Sequence, residues 1–465
     1  MTLRSHTRYG AAHRGVTVGA VGMLLVLAPA ALANTYVANK LNDHAPNGCS
    51  HSDCTLREAV TRANGHPGLD TLVLRGGKTY NLGLDNTAGD EDLNATGDLD
   101  VLGSVAIRSS NHKLATIDAK GIDRSFEVGP TLPVSATFKR LVIRGGQSAP
   151  GGHGGGIESF NGGVLTLIRS KVVGNTAAEE GGGISADEGT LRVIRSVIAH
   201  NFAAGGNAGG IEGEPNMGHE VIAISRSKIV GNRAHDGVGG VYAYQDATIT
   251  KSTIANNRAE SGPAGGVENY GGTLRITSST LSGNTSTDVG GAVENGGLGS
   301  TAIFVNDTIT KNHTASAGGA IANFDGTTSL NSVTIARNSA DTDGGGIDSE
   351  SGVIKVENSL IALNSKGSGF GPDCVEANSG GIVSGGRNLI GTTADCTGTV
   401  FTGATHDITN VNPGIAQLAN NGGPTKTIAL KRGSKAINHA GNDAPSRDQR
   451  GVKRHDPDIG AYERR

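Results

Sequence analysis

Tryptophan is absent from the 465 residues, methionine occurs three times, and aromatic side chains make up only 3% of the chain. A sequence so poor in large rings cannot fill a broad globular interior and calls for a thin one. Cysteine is scarce too, with Cys49, Cys54, Cys374 and Cys396 spaced without the clustering of a zinc site. Neither charge dominates: 40 Lys and Arg stand against 43 Asp and Glu. That balance gives no support to nucleic-acid binding. GxSxG, P-loop, HExxH and calcium-binding nonapeptide motifs are all missing. What is abundant is glycine, 74 residues of it, and its placement is periodic.

The stretch GGGIESFNGGVLTLIRSKVVGN, residues 154 to 175, is written eight times with variations. Each copy opens on a glycine pair and an aliphatic residue: Ile157, Ile184, Ile211, Val241, Val267, Val293, Ile321 and Ile347. Each closes on asparagine: Asn175, Asn201, Asn232, Asn257, Asn284, Asn312, Asn338 and Asn364. From 175 to 364 is 189 residues over seven intervals, a period of 27. A fixed period in this range marks a repeat architecture. Three residues before each asparagine the side chain is always aliphatic, and eight before it always apolar, with polar residues alternating between. Most are β-branched, which favours strands. The pattern predicts a right-handed parallel β-helix with three short strands per coil.

Coils stacked about 4.8 Å apart turn each repeat position into a column. Aliphatic columns fill the interior, and no coil can bury its inner face without neighbours. The asparagine column is expected to be structural, each amide bonding the next. Asn269, Asn295 and Asn323, which alternation points inward, read as a second such ladder. Eight coils of this kind build a rod roughly 40 Å long.

Met1 to Ala33 reads as a secretory signal, with basic Arg4, Arg8 and Arg14, an apolar run and a small-residue cleavage site. Its removal would take the formal charge from −3 to −6, since it carries three Arg and no acid. The mature chain then has no membrane-spanning segment. An even cysteine count in an exported chain suggests two disulfides, with three connectivities possible and nearest neighbours, Cys49–Cys54 and Cys374–Cys396, the expectation. Thr55 and Glu58 fit a capping box, and Leu56, Ala59, Val60 and Ala63 share one helical face. A short helix here would cover the open end of the solenoid.

At CTLREAV, Cys54 to Val60, the sequence resembles the CSLREA-type N-terminal domain of secreted bacterial repeat proteins, over roughly Thr35 to Gly146. The glycine-pair and aliphatic-x-x-Asn signatures are similar to those of polymorphic outer-membrane proteins and the wider pectate-lyase-like β-helix families. From Gly371 the segments GPDC, GGRNLIG, LANNGGPTKTIALKRGSKAIN and DQRGVKRHDPDIGAYE resemble a choice-of-anchor Q region, as far as Glu463. These resemblances divide the chain into a signal (1–33), an N-terminal cap with early coils (34–147), regular repeats (148–370) and the C-terminal region (371–465). They imply a secreted or cell-surface protein. Only Arg464 and Arg465 follow Glu463, with no sortase motif, hydrophobic tail or β-barrel, so the expectation is release into the medium or attachment at the cell surface through a partner.

One further column bears on function. Directly after each opening aliphatic come Glu158, Ser185, Glu212, Tyr242, Glu268, Glu294, Ala322 and Asp348. Alternation points them outward, as a solvated acidic face. Glu212, Glu268, Glu294 and Asp348, with Tyr242, Tyr244 and Tyr270 alongside, are the candidate ligand-binding residues, the tyrosines suited to stacking on sugars. The copy from Ile211 to Asn232 is lengthened near Glu212 to His219, and an extra loop on one solenoid face can form a binding wall. No catalytic residue can be named. Pectin hydrolases of this fold carry several motif aspartates, of whose set only Gly152-His153-Gly154 has a counterpart here. The expectation is a non-enzymatic adhesion, structural or polysaccharide-binding protein, with an extracellular polysaccharide or cell-surface polymer as partner and no cofactor. The alternative is a calcium-assisted polysaccharide lyase acting on an acidic polymer at the Glu212–Glu268–Glu294 face.

Overall fold

The computed structural model describes residues 33–85, 93–214, 220–396 and 400–465. Residues 1–32 of the signal expected over 1–33, and residues 215–219 of the lengthened copy, lie outside them. Within these bounds the chain is a parallel β-helix of about 11 turns with the right-handed winding expected. One coil runs through Ile157–Ser159, Val164–Ile168 and Lys171–Val173, then returns to the same side at Ile184–Asp187. Stacked, these form an 11-stranded sheet and two 13-stranded ones, called the first, second and third sheets below. A fourth strand of two residues, as in Thr176–Ala177, adds a short sheet of eight to the three expected per coil.

The register is that of the repeat. Ile157 pairs with Ile184, Leu167 with Val193 and Val172 with Ile198. Ile254, Leu281 and Ile309 pair in succession and are fully buried in one inner column. Each such side chain contributes about 1.5–3 kcal/mol by leaving water.

The turn after the third sheet is held by the asparagines. Asn257 Nδ2 donates to Asn284 Oδ1 at 3.0 Å and to the Ile229 carbonyl of the preceding coil. The Asn257 backbone N–H also donates to Asn284 Oδ1. The pattern repeats from Asn175 to Asn364, and Asp373 terminates it by accepting both the backbone and side-chain N–H of Asn364. A carboxylate can only accept, so it closes a chain of donors. Serines run a parallel ladder at the preceding corner, from Ser170 through Ser196, Ser227, Ser252 and Ser279 to Asp307.

Both ends are covered. Helix α1, Leu56–Asn64, starts on the capping box of Thr55 and Glu58 and buries Leu56, Ala59, Val60 and Ala63 against the first coils. Arg57 is fully buried in it, donating to Asp43 and to the carbonyls of Thr96, Gly97 and Asp98. Cys49–Cys54 lies beside this cap. At the far end the coil pattern outlasts Gly371, with Cys374–Glu376, Gly381–Gly386 and Leu389–Ile390 continuing the three sheets. Cys374–Cys396 ties the next segment to this last coil, where Val400 and Phe401 pack on the core.

The remainder, from Ile415 on, turns back along the outside of the third sheet. There Ile415, Ile428, Leu430 and Ile459 bury a second apolar cluster against Ala336, Leu360 and Leu389. Gln449 donates to the Ser279 carbonyl and Thr280, while Arg454 donates to Asn306. No helix among the described residues is long and apolar enough to cross a membrane.

Candidate functional site

The outward column of the first sheet runs in register through Glu127, Glu158, Ser185, Glu212, Tyr242, Glu268, Glu294, Ala322 and Asp348. It is not the solvated face that alternation predicts. Glu158, Glu212, Glu268 and Asp348 are all under 7% exposed. The reason lies in the turn before each glycine pair, which folds back over the strand it introduces. Gly154, at φ +60°, sits so close that a Cβ on it would stand 2.7 Å from the Glu158 Cβ. The side chains point away from the core and are roofed by their own chain.

Glu127 and Glu158 share a counter-ion, the buried Arg124 guanidinium. At Glu268, Glu294 and Asp348 burial sets the chemistry, because the charged form loses water without gaining one. Glu268 and Glu294 are register partners, stacked on adjacent coils. Burial first, and Asp288 second, pushes Glu268 up to about 7. Burial, then Glu268 and Asp288, pushes Glu294 well above the usual range. Asp348 is raised to about 7 by burial, then by Glu350 and Asp343. Ala322 separates it from Glu294, so it stands apart from the pair.

The three tyrosines do meet. Tyr242 is buried among Ala208, Val238 and Ala264, with its ring 6.4 Å from that of Tyr270. Tyr244 and Tyr270 lie 5.5 Å apart, centroid to centroid, and are 36% and 47% exposed. They follow the acidic column at the exit of adjacent strands and form a tilted aromatic surface open to solvent.

Glu212 belongs to a different group, which the sequence reading missed. It is fully buried and accepts a hydrogen bond from Ser185 Oγ, which also lies 3.0 Å from Asp187 Oδ1. Ligand atoms of His153, Glu180 and Glu212 lie within 4.8 Å of one another. His153 Nδ1 is 3.3 Å from Glu180, whose carboxylate raises the imidazole to about 8. The signal was present: His153 and Glu180 each stand four places before an opening aliphatic, at the same turn position 27 residues apart. Asp98, Asp100 and Glu127 form a second such convergence, fully buried, and His44, Asp53 and Glu58 a third. Among the described residues, Glu268 and Glu294 join no group of three potential ligands. Glu212 and the Glu268–Glu294 pair are therefore separated by the Tyr242 coil and do not constitute one calcium site.

No protein-family model matches the chain, and no curated protein matches it. Among solved structures it is similar to pectate lyase Pel9A, with 14% identity and a TM-score of 0.40 over 94% of this chain and 98% of that one. A likeness at that level carries no chemistry, and the site stands on its own residues.

Proposed function

We propose that this is an exported, non-enzymatic β-helix protein that binds polysaccharide through the tyrosine surface of its first sheet. The observation that carries the reading is the pair of solvent-open rings, Tyr244 and Tyr270, on adjacent coils. Aromatic faces held rigidly by packed strands stack on the C–H faces of sugar rings at little entropic cost. Export is supported by the basic and apolar leader and by two disulfides, which persist in oxidising compartments. The resemblances at CTLREAV and from Gly371 onward support a place at or beyond the cell surface.

A lyase reading finds less support in the same residues. The carboxylates it needs are roofed by turns, and neither Glu268 nor Glu294 enters an ion pair among the described residues. Calcium takes about six to eight oxygen ligands, and Glu268 and Glu294 join no convergence of three potential ligands among the described residues.

Affinity electrophoresis of the purified chain through gels holding a panel of neutral and acidic polysaccharides tests the proposal. Tyr244→Ala with Tyr270→Ala should weaken retention by the best polysaccharide about tenfold. Unchanged retention would remove the tyrosine surface as the site. Appearance of unsaturated sugar ends from a polyuronate with calcium would replace the binding reading with the lyase one.

A further inference from the structure

The corner between the second and third sheets is turned by one residue per coil in the left-handed region. In five successive coils that residue is a long cation: Arg140, Arg169, Arg195, Arg226 and Lys251, with φ between 51° and 57°. Their backbone N–H groups donate in order to Ile168, Ile194, Ser225, Thr250 and Thr277, each on the next coil, so the five Cα atoms climb in step. Arg169, Arg195, Arg226 and Lys251 are exposed and Arg140 is half-buried. Among the described residues none of the five side chains enters an ion pair or a hydrogen bond.

Lys171 and Lys228 stand exposed two residues beyond Arg169 and Arg226 and widen the row. The result is a straight ridge of positive charge on a chain whose acids outnumber its bases. Its repeat is the coil spacing of about 4.8 Å.

The same corner changes character where the chain covers it. In the next four coils the left-handed residue is Ser278, Asn306, Ser332 and Asn358. Those coils carry the returning C-terminal segment: Thr425 donates to the Ser278 carbonyl, Asn306 to the Arg447 carbonyl and Asn358 to Asp443. Small polar residues thus occupy the corner in these four covered coils, and a cation returns only at Arg387, where Asp443 of the returning segment lies near. The left-handed conformation is one that Asn adopts readily and β-carbon-bearing cations adopt at a cost, so the basic side chains do not serve the turn itself.

We propose that this ridge binds a linear acidic polysaccharide, laid along the rod with its charged groups over successive coils. A straight row of cations at regular spacing complements a stiff polymer bearing one anionic group per sugar or disaccharide. It does not complement nucleic acid, whose phosphates wind about an axis and whose single strands are gripped by interleaved aromatic rings. No ring stands among these five positions. The ridge is a different surface from the tyrosine face, and the proposal does not depend on that reading.

The test uses the full chain and a variant with Arg169, Arg195, Arg226 and Lys251 all changed to asparagine, the residue the protein itself uses at this corner in Asn306 and Asn358. Retention on polygalacturonate and on heparin, which separate carboxylate from sulfate recognition, is measured at low and high salt alongside neutral dextran and single-stranded DNA. The expected result is binding to at least one acidic glycan that weakens with salt and falls about tenfold or more in the variant. Equal binding by parent and quadruple variant, equal retention on dextran, or tighter binding to DNA than to either glycan would overturn the proposal. An unchanged circular dichroism melt of the variant confirms that a loss reports the ridge and not the fold.

Discussion

Replacing Glu220 with glutamine is expected to stabilise the folded chain at pH 8 and to change little at pH 5. Glu220 is 1% exposed, points inward from Glu220–Ser225, and neither of its carboxylate oxygens meets a hydrogen-bond partner. It occupies space left by Gly213, where a Cβ would stand 1.9 Å from Glu220 Oε1. Burial raises it to about 8, reinforced by the charges of Asp187 and Asp246. A value above that of the unfolded chain means the folded state holds this proton longer. The stability it confers is complete below the unfolded value and is lost as pH rises towards about 8.

The full shift corresponds to a loss on the order of 4 kcal/mol. Glutamine cannot ionise, and it would sit against Gln245, whose Oε1 already accepts the Glu220 backbone N–H at 3.1 Å. Denaturant midpoints of both proteins at pH 5 and pH 8 measure the effect. Identical pH slopes in the two would show that Glu220 is not the group responsible. Glu268 and Asp348, each raised to about 7, add to the same downward trend in the parent.

Asn257→Ala is expected to destabilise the chain by about 3–5 kcal/mol, far beyond an ordinary surface substitution. The side chain is fully buried and accepts from both the backbone N–H and Nδ2 of Asn232 while donating to Asn284 and Ile229. Its removal leaves two donors of Asn232 without partners and takes one donor from the Ile229 carbonyl, in a place no water reaches. Urea unfolding followed by circular dichroism reads the cost. A loss under about 1 kcal/mol would mean that the neighbouring coils close over the gap.

The ladders were legible in the sequence because stacked coils demand the same side chain at the same place. Ile254, Leu281 and Ile309, the Asn257–Asn284 link and the helix opened by Thr55 needed only periodicity and capping rules. The fourth sheet was not read, since strands of two residues are too short to show alternation. Its trace was nevertheless written two places after the asparagine, where Ala177, Ala203, Ala234 and Ala259 keep a tight inner column.

The acidic column was placed on the correct face and in the wrong environment. Alternation reports which way a side chain points, not what the chain lays over it afterwards, and the covering turn is visible only through glycines such as Gly154 that leave room for Glu158. Glu212, Glu268, Glu294 and Asp348 were therefore grouped by likeness of residue. In space Glu212 keeps company with His153, Glu180 and Ser185, which sequence distance had hidden. The tyrosines were found because neighbouring rings on neighbouring coils need no such cover. The basic corner keeps the same period, six places before Asn175, Asn201, Asn232 and Asn257, but the residues there are polar and interrupt the apolar alternation that marks strands.

The asparagine ladder also has a direction: every side-chain amide from Asn175 to Asn364 gives its hydrogen to the coil that follows, and Asp373 receives the last one. An in-frame duplication of any one turn between these limits would meet an identical giver on one side and an identical receiver on the other. Between Asn175 and Asn257, ahead of Asp307 in the serine ladder and of the coils that the returning segment covers, such a gene can lengthen by unequal recombination without inventing a new junction. Beyond Asp373 the same event would abut two receivers, which fixes where this molecule can grow and where it must stop.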